Sequence, residues 1–177
     1  MKNWIFIIFV LIGMFFSNEN FAQKTNKKSI IERNVAGTTY IIETYDKFAY
    51  VENKNRLINE LIKKNKKHCE GNFIIYEENE FFESERTAVK SVLTKEKINQ
   101  LLKGSNGFGI SRACNRLGEI KAVAFMNIDT SLITLEEIKS LEDNYLKLKI
   151  KINNSVCSET EYFYFMSRIR YKDLLDE

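Results

Sequence analysis

Among its 177 residues the chain has no proline, one histidine, three cysteines, one tryptophan and seven glycines. Lack of proline excludes a rigid Pro-rich linker and any proline-rich recognition segment. The single histidine, His68, excludes a cluster of imidazole ligands, and beside Cys69 it has no identifiable third residue to orient it for nucleophilic chemistry. Cys69, Cys114 and Cys157 are too widely spaced to supply the short ligand pairs of a zinc site. The glycines of Gly104-Ser-Asn-Gly-Phe-Gly109 do not fit a dinucleotide fingerprint, and no Lys-Ser or Lys-Thr ending makes them a phosphate loop; they read as a turn. A net charge of +3 is too small a bias to mark a nucleic-acid-binding protein. No cofactor and no metal are expected.

What is present begins with Lys2, the apolar run Trp4–Phe16, and the small-residue site Asn20-Phe21-Ala22-Gln23. That order predicts a secretory signal peptide over residues 1–22, cut after Ala22. The apolar run is shorter than the roughly 20 residues a membrane-spanning helix needs, so no stable membrane span is expected after processing. Removing residues 1–22 takes out Lys2 and Glu19 together and leaves the net charge unchanged. Residues 23–177 are then a single exported domain, periplasmic or extracellular, starting with a basic stretch (Lys24, Lys27, Lys28) and ordered from about Ile30.

The best-defined stretch is Cys114–Ile152. Ile120, Ala122, Ala124, Met126 and Ile128 alternate as one face of a strand, with Lys121, Val123, Phe125 and Asn127 on the other. Thr134 stands three residues before Glu137, a capping-box spacing, ahead of Leu135, Ile138, Leu141 and Tyr145 at helical intervals. Lys147, Lys149 and Lys151 against Leu148, Ile150 and Ile152 suit a second strand, completing a β-α-β unit. Earlier in the chain, Thr38–Thr44 and Phe48–Val51 read as a hairpin with Asp46 in its turn. Asn53 or Asn55 is placed to cap a helix carrying Leu57, Ile58, Leu61 and Ile62, whose C-terminal end holds Lys63, Lys64, Lys66 and Lys67. Phe73–Tyr76 reads as a strand turned back through Glu77, Glu78 and Glu80 toward Phe81 and Phe82, and Thr94 as the cap of a helix with Ile98, Leu101 and Leu102. Tyr162–Ile169, apolar on both sides, predicts a strand in the middle of a sheet, with Leu174 and Leu175 folding back. The expected fold is a single α+β domain with a mainly antiparallel sheet and about three helices.

Site chemistry is sparse. Glu136, Glu137, Glu142 and Asp143 are expected on the wet side of their helix, and Glu77, Glu78, Glu80, Glu83 and Glu85 lack the spacing of a calcium loop. Arg112 and Arg116, beside the Gly118 turn, are the candidate partner-binding residues, with Arg168 and Arg170 as lesser ones. Export makes one disulfide expected, and Cys114–Cys157 is the chosen pair, because both cysteines would enter the C-terminal sheet from the same side if adjacent parallel strands followed them.

The segment Gly118–Lys151 resembles the periplasmic C-terminal domain of TonB-type energy transducers. Gly118, Ile120, Val123 and Phe125 match that family's turn and first strand, and Ile138, Leu141 and Leu146 its helix. The resemblance implies a compact α+β domain that contacts an outer-membrane receptor. Phe21-Ala22-Gln23 likewise resembles the signal-peptide ends of secreted Bacteroidetes proteins. The expected function is therefore that of a non-enzymatic cell-envelope binding or accessory protein with an envelope protein as partner; the alternative is a small secreted hydrolase.

Overall fold

Two-residue turns with a left-handed residue build the first three strands. Ala36 (φ 48°) and Gly37 (φ 80°) join β1 (Ser29–Val35) to β2 (Thr38–Tyr45), and Asp46 (φ 58°) opens the turn to β3 (Phe48–Asn53). Positive φ in such turns matches the right-handed twist of the strands they join. The expected hairpin is thus present and extended by one strand at its N-terminal side. The structure is a computed structural model that describes residues 28–65, 74–76, 78–153 and 159–176. The expected signal peptide, and Lys24, Lys27, Lys66, Lys67, His68, Cys69, Phe73, Glu77 and Cys157, lie outside the described residues.

The elements that follow are α1 (Ile58–Ile62), β4 (Ile74–Tyr76), α2 (Glu78–Lys90), α3 (Lys95–Leu102), β5 (Gly107–Asn115), β6 (Ile120–Asp129), α4 (Leu135–Tyr145), β7 (Lys151–Asn153), β8 (Tyr162–Arg170) and a 3-10 turn at Lys172–Leu174. Six strands form one antiparallel sheet in the order β1-β2-β3-β6-β5-β8, and β4 and β7 pair antiparallel in a second, two-stranded sheet. This is a single α+β domain with a mainly antiparallel sheet.

Helices α2, α3 and α4 cover one face of the large sheet. Phe81, Ala88, Val89, Leu93, Ile98, Leu101, Ile138, Leu141 and Tyr145 meet Ile42, Val51, Phe108, Ile110, Val123, Phe125, Phe163 and Ile169 there in one core. Thr134 and Glu137 form the expected reciprocal capping box at the start of α4, and Thr94 accepts from Lys97 N at the start of α3. Leu174 folds back into the same core. The opposite face is floored by small side chains, and among the described elements only the short α1 lies on it: Ile58, Leu61 and Ile62 pack on Ala113, Ala122 and Ala124.

Several expectations are corrected. The segment from Glu78 is a helix rather than a hairpin, because Phe81, Glu85, Ala88 and Val89 fall on one helical face and are all buried. Gly107 and Gly109 belong to strand β5, which carries Cys114 near its end. A Cβ on Gly107 would lie 2.0 Å from the Ile169 carbonyl oxygen, so glycine there permits close strand pairing rather than a turn. Strand β8 is an edge strand: Phe163 and Ile169 are buried, but Tyr164 and Met166 face outward. The β-α-β expectation holds only in element order. Strand β7 starts at Lys151 and pairs with β4, while the residues just before β6 and β7 meet through an antiparallel bridge between Glu119 and Lys149. Helix α1 has Leu57 as its N-cap, without a side-chain cap from Asn53 or Asn55.

Candidate functional site

The uncovered part of the small-residue face is a groove of about 690 Å³. Its floor and walls come from every strand between β2 and β8. Residues two apart on a strand share a face, so Glu43 and Tyr45 on β2, and Phe48, Tyr50 and Glu52 on β3, project into it together. Ser111 on β5, Met126 and Asn127 on β6, and Tyr164 on β8 complete the far side, and Ile58, Asn59 and Ile62 of α1 close one end. The floor has a local cause: Ser111 is small between the flanking aromatics, and the neighbouring Ala113, Ala122 and Ala124 let α1 sit close to the sheet and wall one end. A bulge opposite Tyr50, where Asn127 adopts φ 57°, shifts the end of β6 so that Ile128 returns to the helix-covered core.

Glu52 organises the inner wall. One carboxylate oxygen accepts from the Tyr50 hydroxyl at 2.9 Å and the other from the backbone N–H of Ile58 at 2.7 Å. The second bond satisfies an N–H in the first turn of α1, the service a capping residue normally performs, and fixes the helix over the sheet. Glu52 is only 7% exposed, and burial raises its pKa above the usual carboxylate range, against the two hydrogen bonds that lower it. Its hydrogen-bond donors are both neutral. Burial likewise raises the Tyr50 pKa. Glu43, at the rim, is the opposite case: a hydrogen bond from Lys28, whose Nζ lies 2.7 Å away, holds its pKa down. The Lys28 ammonium also stands 5.6 Å from the centroid of Tyr45, and that of Lys47 stands 5.0 Å from Phe48. Across the groove, the Ser111 and Tyr164 hydroxyls are 3.3 Å apart.

The arginines expected to meet a partner have diverged in environment. Arg112 is fully buried on the helix-covered face, which removes it as a surface contact. It pairs with the equally buried Glu85 of α2, donates to Ser167, and lies 4.9 Å from the ring centroid of Phe165 and 5.5 Å from those of Phe81 and Tyr145. Burial pulls its pKa down to about 10, leaving it charged at neutral pH. Glu142, expected on the wet side of its helix, is buried too, accepting from the Tyr40 hydroxyl and from Asn53 Nδ2 at 2.9 Å, and so ties α4 to β2 and β3. Arg116 is half-buried and donates to the Thr160 carbonyl at 3.1 Å. Arg168 and Arg170 line a smaller cavity of about 270 Å³ at the β8 edge, where Arg170 is paired with Asp173 at 2.9 Å. Cys114 carries a free thiol with its Sγ 3.8 Å from the Phe163 carbonyl, and burial pushes its pKa up to about 12. Among the described residues no group of three acidic, histidine or cysteine side chains is arranged to hold a metal ion, and no helix is long and apolar enough to cross a membrane.

Among the described residues no arginine or lysine lines the main groove, and none of its lining residues was singled out from the sequence as a site. The available signal was the spacing: Glu43 with Tyr45, and Phe48 with Tyr50 and Glu52, place aromatic and acidic residues on one face of two strands that a tight turn holds together.

No protein-family model matches this chain, and no curated protein matches it significantly. Among solved structures it is similar to a DUF5043 family protein from Bacteroides uniformis ATCC 8492, crystallised at 1.85 Å resolution, with a TM-score of 0.64 and 17% identity over 82% of this chain and 87% of that one. At that identity the likeness is one of fold: the arrangement of strands and helices is shared with a bacterial protein over nearly the whole of both chains.

Proposed function

We propose that this protein is exported, that its mature form begins at Gln23, and that it acts as a non-enzymatic binding protein of the cell envelope through the aromatic and acidic groove on its open sheet face. The observation that carries this reading is the groove itself, a concave site of about 690 Å³ whose polar groups are held in place by hydrogen bonds to one another and to α1. A preorganised concave surface with rigid aromatic side chains binds at a small conformational cost. The resemblance of Gly118–Lys151 to a receptor-contacting periplasmic domain supports an envelope protein as partner.

One observation favours the hydrolase reading. Glu43 and Glu52 line the same groove with their pKa values displaced in opposite directions, the pattern of an acid and base pair. Against it, both oxygens of Glu52 are already occupied by donors from its own wall.

The test is photocrosslinking of the protein in its native envelope, comparing wild type with Ser111→Trp, which fills the floor of the groove, and Tyr164→Ala, which removes a rim aromatic. A macromolecule enriched by wild type and lost in both variants, with circular dichroism unchanged, is the expected result. Recovery of the same macromolecule by both variants removes the groove as the site, and turnover of a glycoside or ester panel that Glu52→Gln abolishes replaces binding with catalysis.

A further inference from the structure

Building on the groove as a binding site, we infer that its ligand is a lysine-bearing extended segment of a partner protein, with an ammonium group seated against Glu52 and over the Tyr50 and Tyr164 rings. Three observations combine. Among the described residues the lining contains two carboxylates, of which Glu43 is paired with Lys28 and Glu52 has no basic partner, and four aromatic rings but no arginine or lysine, which disfavours an anion and favours a cation by charge complementarity. Glu52 is buried in the wall, its hydrogen-bond donors, Tyr50 and the Ile58 N–H, carry no charge, and it has no countercharge among the described residues, while each of its oxygens can accept a second donor. Replacing its missing countercharge offsets the desolvation that burial imposed.

The third observation is that the protein seats its own ammonium groups by the same chemistry at the rim. Lys28 Nζ lies 2.7 Å from Glu43 and 5.6 Å from the Tyr45 centroid, and Lys47 Nζ lies 5.0 Å from the centroid of Phe48. A carboxylate beside an aromatic face is a good seat for an ammonium group, since the ring quadrupole and the anion attract it together. Tyr50 with Glu52 repeats the pairing of Tyr45 with Glu43 one strand further in, with no lysine beside it among the described residues lining the groove.

Dimensions select a segment over a single amine. From Tyr45 on β2 to Tyr164 on β8 the groove crosses β3, β6 and β5. Four inter-strand spacings span about 19 Å, the reach of roughly five to six extended residues.

Fluorescein-labelled pentalysine, titrated with the purified protein and followed by anisotropy, tests the inference. Wild type is expected to bind it, with at least a tenfold loss when the lysines are Nε-acetylated and at least a tenfold loss for Glu52→Gln. Lys28→Met frees Glu43 and Tyr45 and is expected to tighten binding severalfold. Glu136→Gln and Lys139→Met make the same charge changes on α4, beyond the opposite face of the sheet, and are expected to change affinity less than twofold. Should Glu52→Gln fold poorly, Glu43→Gln in the Lys28→Met background must return the affinity to the wild-type value. Equal binding of acetylated peptide, equal effects of the Glu52 and Glu136 variants, displacement by maltopentaose, or no binding to wild type overturns the inference. Failure here together with a groove-dependent crosslink leaves the binding reading standing and removes only the lysine ligand.

Discussion

A charged side chain at the centre of a core must be compensated locally, and Arg112 shows how. Its guanidinium is held by Glu85 and Ser167 and by three aromatic faces, which take the place of acceptors at Nε and Nη1, the two nitrogens with no hydrogen-bond partner. Removing one member strands the other, so Glu85→Ala is expected to cost about 3–5 kcal/mol of stability, whereas the double replacement Arg112→Met with Glu85→Met restores most of it. Urea denaturation of the two variants is the measurement, and a cost under about 1 kcal/mol for Glu85→Ala means the ion pair is not buried in solution. Nothing in the sequence announces this pair. Arg112 stands near a turn, where arginines are usually wet, and its partner lies on a helix that the acidic composition of Glu77–Glu85 disguised as loop. Glu52 was hidden for a related reason: a carboxylate in a strand reads as outward and solvated, and only the packing of α1 over it shows otherwise.

Elements were legible where local chemistry decides them. Thr134 and Glu137 announce α4 because a capping box is complete within four residues, and the β2–β3 hairpin follows from alternation on either side of Asp46. Elements that depend on distant partners were not. The glycines of β5 are strand residues because β8 and β6 lie against them, and the Gly118 turn is shaped by the segment after α4, which crosses it. Gly118 has φ 76°, its carbonyl accepts from Ile150 N at 2.8 Å, and a Cβ there would lie 1.7 Å from the Ile150 carbonyl oxygen. Gly118→Ala therefore combines backbone strain with a clash against main chain, and is expected to destabilise the protein by well over about 1 kcal/mol. Thermal denaturation reads this directly; a neutral effect would show that the crossing by Ile150 is loose. The same crossing explains why the second strand of the expected β-α-β unit begins only at Lys151: the chain must first pass over Gly118 and bury Ile150 before it reaches β4.

For the molecule as a whole, the two sheet edges are unequal. Strand β8 borders β5 along nine paired positions and buries Phe163 and Ile169 beneath the helices. Among the described strands β1 pairs only with β2; it is exposed at nearly every position and shows Ile30 and Ile31 to solvent at 57% and 42%. Open edges with exposed branched aliphatic residues invite pairing with another strand, and here Lys28, Glu32, Arg33 and Lys54 surround the edge with charge that opposes it. Amide exchange separates these regions because local opening is governed by burial and by partners on both sides. The expected order runs from β1, fastest, through β8 to β5 and β6, which are flanked by strands on both sides and buried at most positions. Peptide-resolved hydrogen exchange by mass spectrometry measures that order. Protection of β1 comparable to β5, with no dependence on protein concentration, would mean the edge is covered by part of the same chain; protection that disappears on dilution would mean a second copy has added its strand, and the open-edged monomer described here would give way to a dimer built through β1.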